Sequence, residues 1–212
     1  MMAQMKILVF DCDGVLFNSM QANIAYYSAI LQRFKQPPIE SAADARAGIC
    51  HIGSSPQVFA ALLGEDQVEA AMEVAQQIDY ADFFPELIPE PYLYECLEEL
   101  AARLPLAVAT NRRGSLHDIV AHFNLGGYFS HLVTSCDVPR PKPYPDMLHQ
   151  VALLGGCEAD ELVYVGDSEY DRMAAHQAGA EFIAYKWEGG QKVGSHRELA
   201  QLVRTHFLAE EN

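Results

Sequence analysis

Lys6-Ile7-Leu8-Val9-Phe10-Asp11-Cys12-Asp13-Gly14-Val15-Leu16 is the stretch on which the fold turns. An apolar run from Ile7 to Phe10 meets two carboxylates one position apart, and a glycine follows at once. The run reads as a buried strand that ends in an acidic site. In an extended chain alternate side chains share a face, so Asp11 and Asp13 point one way and Cys12 the other. Two acids on one face repel each other unless a cation lies between them. Taken alone, the pair also fits a strand-end cap followed by an Asp-Gly turn.

Outward from this strand the rhythm changes. After Phe17-Asn18-Ser19, apolar residues recur at three- and four-residue intervals (Ala22, Ala25, Tyr26, Ala29, Ile30, Phe34) until Pro37-Pro38, which predicts a helix. Further helices are expected over about 40–48, 55–63 and 65–80, with no strand between 17 and roughly 85. Prolines then crowd residues 85–91 and mark a linker or hinge.

Beyond that hinge, helix and strand alternate. Helices are expected at 92–103, 115–124, from the 138–145 loop through Leu154, at 168–178 and at 195–208; strands fall at 104–110, 131–134, 162–165 and 181–185. The alternation predicts an α/β fold, a doubly wound parallel sheet built from residues 1–16 and 86–212, with a helical insertion at 17–85.

Composition narrows the function classes. The chain has 212 residues, 29 acidic against 14 Lys and Arg, for a formal net charge of -15. No basic stripe interrupts that balance, so neither nucleic acid nor an anionic membrane is expected as a partner. Five cysteines without paired metal-type spacing and eight scattered histidines point to reduced thiols and away from a zinc site. With no leader-like start and no long apolar run, the expected location is cytoplasmic, as a monomer or homodimer.

Ligands of doubly wound sheets collect beyond the carboxyl ends of the strands. Those ends carry Asp11 and Asp13, Thr110-Asn111, the loop bearing Lys142, and Gly166-Asp167 with Asp171. Carboxylates converging with one lysine and one hydroxyl suit a hard divalent cation and a phosphate. Each residue also has an ordinary reading: Thr110 as a β-branched strand end, Lys142 as a solvated charge, and Ser168-x-x-Asp171 as a helix-start cap.

As an ordered set, Asp-x-Asp-Gly-Val-Leu (11–16), a hydrophobic strand ending at Thr110-Asn111, Lys-Pro-x-Pro-Asp (142–146) and Gly-Asp-Ser-x-x-Asp (166–171) resembles the haloacid dehalogenase superfamily. The resemblance spans the chain. It implies a Rossmann-like catalytic core and a helical cap domain at 17–85. It further implies an Mg2+-dependent phosphatase acting on a small phosphorylated metabolite, of the phosphoglycolate phosphatase type. Asp11 would be the nucleophile that becomes an aspartyl-phosphate, and Asp13 the acid and then the base. Thr110, and the backbone around Asn111, would bind the phosphoryl group, and Lys142 would neutralise charge. Magnesium would take the carboxylates of Asp11 and Asp167 and the backbone carbonyl of Asp13, with Asp171 supporting the metal or the lysine.

Within that family an acid at the place of Asp13 separates phosphate-ester chemistry from dehalogenation, and Lys35 as the sole lysine of 17–85 argues against phosphonate cleavage. Arg46, His51 and Asn18 are the cap residues expected to reach substrate, although an Arg on a helix surface and a His in a loop are commoner. Two alternatives remain at this level: a β-phosphoglucomutase-like phosphotransferase, and a non-catalytic binding protein of the same fold.

Overall fold

A computed structural model describes residues 5–208. Its strands are β1 (Ile7–Phe10), β2 (Phe17–Asn18), β3 (Ile88–Pro89), β4 (Leu106–Ala109), β5 (Phe129–Val133), β6 (Leu162–Gly166), β7 (Glu181–Tyr185) and β8 (Gln191–Val193). Six of these form one parallel sheet in the order β5-β4-β1-β6-β7-β8, and β2 pairs with β3 in a separate antiparallel ribbon. The strand that opens the chain is therefore central. Because β4 and β6 flank it, the chain winds away from β1 in both directions and leaves a crevice at its carboxyl end.

Between β2 and β3 lie α1 (Met20–Arg33), α2 (Ala47–Ile52), α3 (Ser55–Leu63) and α4 (Val68–Ala75), then a 3₁₀ segment, Tyr80–Glu86. They bury a cluster of their own that includes Ile24, Tyr27, Ile30, Leu31, Cys50, Val58 and Phe59. The remaining helices, α5 (Leu93–Ala101), α6 (Ser115–His122), α7 (Asp146–Gly155), α8 (Glu169–Ala178) and α9 (His196–His206), cover the sheet. Alternation along β1 assigns its residues to the two layers. Ile7 and Val9 pack with α7 and α8 through Met147, Val151 and Ala174, whereas Leu8 and Phe10 pack with α5, α6 and α9 through Leu97, Leu116 and Leu199. All four are essentially fully buried, each contributing roughly 1.5–3 kcal/mol.

The segments entering and leaving the insertion are tied together and to the core. Phe17 faces Pro89 and Asn18 faces Ile88 across the ribbon, and the Glu90 N–H donates to the Leu16 carbonyl at 3.0 Å. The Glu90 carboxylate accepts from the Tyr185 hydroxyl at 3.1 Å, and the fully buried His196 donates from Nε2 to the Val15 carbonyl at 2.8 Å. Burial pushes the His196 imidazole down to about 4, and its Nδ1 has no partner among the described residues.

Several local expectations are corrected. A helix was expected over 40–48, but Ser41 and Asp44 accept bonds from the Ala43 and Arg46 N–H groups and hold turns, so α2 starts only at Ala47. The helix expected over 65–80 is a 3₁₀ turn, Glu65–Gln67, followed by α4, which ends at Ala75. The 17–85 block does hold a strand, β2, and its partner β3 lies inside the proline-rich stretch read as linker. Finally, β8 was not expected: it is a three-residue edge strand, too short to show a period.

Candidate active site

Asp11 follows β1 directly, where its N–H donates to the Val165 carbonyl of β6 at 2.9 Å and fixes its backbone in the sheet. Lys142 Nζ lies 2.8 Å from Asp11 Oδ1, 2.6 Å from Asp171 Oδ1 and 2.9 Å from the Tyr164 hydroxyl. The contact with Asp11 is an ion pair without hydrogen-bond alignment, which leaves Oδ1 buried and free of a directed donor. Burial, opposed by Lys142 and reinforced by the charges of Asp171, Asp13 and Asp167, pushes the Asp11 carboxyl up to about 7.

The loop that delivers Lys142 is fastened by Asn111. Asn111 Oδ1 accepts from the Lys142 N–H at 2.9 Å, and its Nδ2 donates to the Lys142 carbonyl at 3.1 Å and to the Ile52 carbonyl of α2 at 3.0 Å. Thr110, almost wholly buried, directly follows β4 beside it and accepts from the Arg112 N–H at 3.3 Å.

Asp171 has no exposure and both its oxygens are engaged. Oδ1 accepts from Lys142 and Tyr164, and Oδ2 from the N–H and hydroxyl of Ser168. One carboxylate thus completes the reciprocal cap at the start of α8 and also accepts from Lys142. Gly166 permits this approach, since a Cβ there would fall 2.3 Å from that of Asp171.

Carboxylate oxygens of Asp11, Asp167 and Asp171 lie within 4.8 Å of one another. An all-oxygen anionic set with an undirected buried oxygen on Asp11 fits a hard divalent cation. Asp171 is committed to Ser168 and Lys142, so Asp11 and Asp167 are the members open to a metal. Asp167 is paired with His51 instead, Nε2 to Oδ2 at 3.0 Å; burial raises its pKa against the opposing pull of that imidazole, while the carboxylates around His51 outweigh its burial and raise it to about 9. Gly14 (φ +73°) turns the chain beneath this pair, where a Cβ would fall 1.8 Å from Asp167 Oδ2.

The Asp13 carboxylate is not in that cluster. Its Oδ1 accepts from Arg112 Nη2 at 2.6 Å and from Asn23 Nδ2 at 3.0 Å. Burial would raise its pKa, but Arg112 and then His51 outweigh it and hold the carboxyl below its ordinary value. Arg112 Nη2 also lies 2.8 Å from the Tyr80 hydroxyl and 3.0 Å from Asn23 Oδ1, with the guanidinium carbon 4.5 Å above the Tyr80 ring.

Asp11, Asp13, Thr110, Asn111, Lys142, Asp167 and His51 all line one cavity of about 590 Å³. Its other wall, from the insertion, is mainly Tyr26, Tyr27, Ile52, Met72, Gln76, Ile78 and Tyr80. Arg46 and Asn18 do not line it. The Arg46 guanidinium is taken by Asp44 and by the carbonyls of Pro37 and Pro38, and Asn18 is exposed on the ribbon. The sequence reading missed Arg112, Asn23, Tyr80 and Tyr164. A signal existed for the first: Arg112-Arg113 is the one pair of adjacent arginines in a strongly acidic chain, and it directly follows Thr110-Asn111.

Comparison with known proteins gives the family of the chain. The chain is 28% identical over 206 residues to phosphoglycolate phosphatase 1 of Pseudomonas aeruginosa, covering 89% of this chain and 72% of that one. It is also 28% identical over 188 residues to the pyrophosphatase PpaX of Bacillus cereus, covering 86% and 85%. A solved HAD-superfamily hydrolase, subfamily IA, variant 1, from Geobacter sulfurreducens superposes with a TM-score of 0.81 at 34% identity, over 93% of this chain and 99% of that one. No helix among the described residues is long and apolar enough to cross a membrane. The family model for haloacid dehalogenase-like hydrolases matches residues 8–185, from β1 to the end of β7, and the chain belongs to that family.

Proposed function

We propose that the chain is a magnesium-dependent phosphatase that hydrolyses a small phosphomonoester through an aspartyl-phosphate on Asp11. The observation that carries this reading is the placement of Asp11: it directly follows the central strand, lines the cavity, lies 2.8 Å from Lys142 and stands two residues from a second acid. Asp11 attacks phosphorus, and the bond to the leaving oxygen breaks as Asp13 delivers a proton to it. Asp13, now a carboxylate, takes a proton from water as the water oxygen bonds to phosphorus and the bond from phosphorus to Asp11 breaks, which returns Asp11 to a carboxylate and Asp13 to its protonated form. Thr110 and Lys142 hold the phosphoryl oxygens meanwhile. Asp11, Asp167 and the Asp13 backbone carbonyl would hold Mg2+, whose charge offsets repulsion between an anionic nucleophile and an anionic phosphate.

Residues 17–85 act as a cap over this site in the proposal. His51 is the cap side chain placed to meet substrate or Asp167, because it reaches the metal side of the cavity. Arg46 and Asn18 have no such part, given where their side chains lie.

The relative named a pyrophosphatase brings a second substrate reading, an inorganic or organic diphosphate. One screen decides: Mg2+-dependent phosphate release from phosphoglycolate, sugar phosphates and pyrophosphate, with Asp11→Asn as control. Release from a monoester that Asp11→Asn abolishes is expected. Release from pyrophosphate alone favours the second reading, isomerised sugar phosphate without release favours a mutase, and unchanged turnover in Asp11→Asn overturns the nucleophile.

A further inference from the structure

Arg112 is not used by the chemistry above, yet its side chain faces the cavity and meets three acceptors through one nitrogen. Arg112 is anchored on the core side, where its carbonyl accepts from the N–H and hydroxyl of Ser135 at 2.9 and 3.1 Å. Its side chain crosses to Asp13 and to two residues of the insertion. Nη2 has two protons and three acceptors, Asp13 Oδ1, the Tyr80 hydroxyl and Asn23 Oδ1, so one proton is shared. Tyr80 in turn donates to Asn23 Oδ1 at 2.8 Å, and Asn23 returns Nδ2 to Asp13. The four side chains close a buried ring spanning the loop after β4, the loop after β1, α1 and the 3₁₀ segment.

We propose that Arg112 is a positioning residue: with Asn23 and Tyr80 it pins Asp13 Oδ1, so that Oδ2 is the oxygen that exchanges the proton, and only when the cap is seated. Both donors converge on a single oxygen and remove the rotational freedom of the carboxylate, which a proton transfer of hydrogen-bond reach cannot tolerate. Two of the ring's members come from the insertion, so lifting it breaks the bonds of Asn23 and Tyr80 to Asp13 and Arg112 together. Acid orientation and cap seating become one event. The inference rests on the phosphatase reading and on Asp13 as its acid and base.

The test compares kcat/KM for an alkyl phosphate, whose leaving oxygen needs a proton, with that for para-nitrophenyl phosphate, whose phenolate leaves without one. Arg112→Lys keeps a charge on this side chain but moves the donor nitrogen away from the position that Nη2 holds between Asp13, Asn23 and Tyr80. It is expected to lower the alkyl value ~10- to 100-fold more than the aryl value, within the range that general acids contribute. Tyr80→Phe keeps the guanidinium and ring, and carries the same comparison should Arg112→Lys fail to fold; a smaller selective loss of several-fold is expected. Equal losses on both esters, or a rise in KM alone, would overturn the positioning role in favour of a structural or substrate-binding one. No turnover of any ester by the unmodified enzyme would remove the phosphatase reading and this inference together, whereas turnover with uniform loss removes only the inference.

Discussion

The Lys142 ammonium stands closer to Asp171 Oδ1, at 2.6 Å, than to Asp11 Oδ1, at 2.8 Å, and only the Asp171 contact has hydrogen-bond geometry. Asp171 is thus the carboxylate that aims the lysine, and Asp11 the one it is aimed at. Replacing Asp171 by Ala strips Lys142 of its aligned partner and α8 of its reciprocal cap. A broken buried pair costs about 3 kcal/mol or more, so a thermal melt of Asp171→Ala should fall by roughly 6–12 °C. Phosphate release should fall with it even at saturating Mg2+; a variant that melts lower yet turns over normally would show that the aim of Lys142 is unimportant.

Mg2+ should stabilise the protein through Asp11 and Asp167. At 100 times its dissociation constant a ligand adds about 2.7 kcal/mol, equivalent to roughly 5–10 °C in a chain of this length. Asp167→Asn should erase that rise, and excess EDTA should erase it in the unmodified protein. A rise that survives Asp167→Asn would place the metal elsewhere.

Gly14→Ala should lose metal binding before it loses the fold. The new methyl meets the Asp167 carboxylate, and a positive φ costs an alanine roughly 1–2 kcal/mol. Isothermal titration with Mg2+ and a denaturation curve together check this: weakened binding with a modest drop in stability is the expected pair.

His196 gives the fold a sensitivity to acid. Its folded pKa of about 4 lies below the 6.5 of an ordinary histidine, so between these values the unfolded chain binds more protons. Stability is therefore full above about pH 6.5 and is lost as pH falls towards 4, by up to ~3 kcal/mol. His196→Gln should flatten the difference between melting temperatures at pH 7 and pH 5; an unchanged difference would assign the acid sensitivity to other groups.

The sheet was legible because buried strands between helices have a strong rhythm: β1, β4 and β7 fall within the expected segments, and β6 runs one residue past its own. The strand ends were legible for the same reason, since a residue's place at a strand end follows from the strand. Legibility failed where side-chain reach decides. Arg112 stands two residues past Thr110 and looks like a solvated charge, yet its side chain crosses to α1 and to Tyr80. Tyr164 looks like an ordinary strand residue, yet its hydroxyl meets Lys142. Arg46 failed in the opposite sense, because Asp44, two residues before it, captures it locally. Short elements such as β2, β3 and β8 escape any periodicity, which needs more residues than they have.

The β2–β3 ribbon has an architectural corollary. The two places where the chain departs for the helices and comes back face each other across a hydrogen-bonded pair, Phe17 with Pro89 and Asn18 with Ile88. The covalent path between the sheet and the inserted helices therefore passes through this one ribbon, while Tyr80 and Phe84 pack the insertion into the core of the sheet as well. No strand of the six-stranded sheet lies between those two places, so a change in the length of the inserted segment leaves the pairing partners of every one of those strands on either side of it.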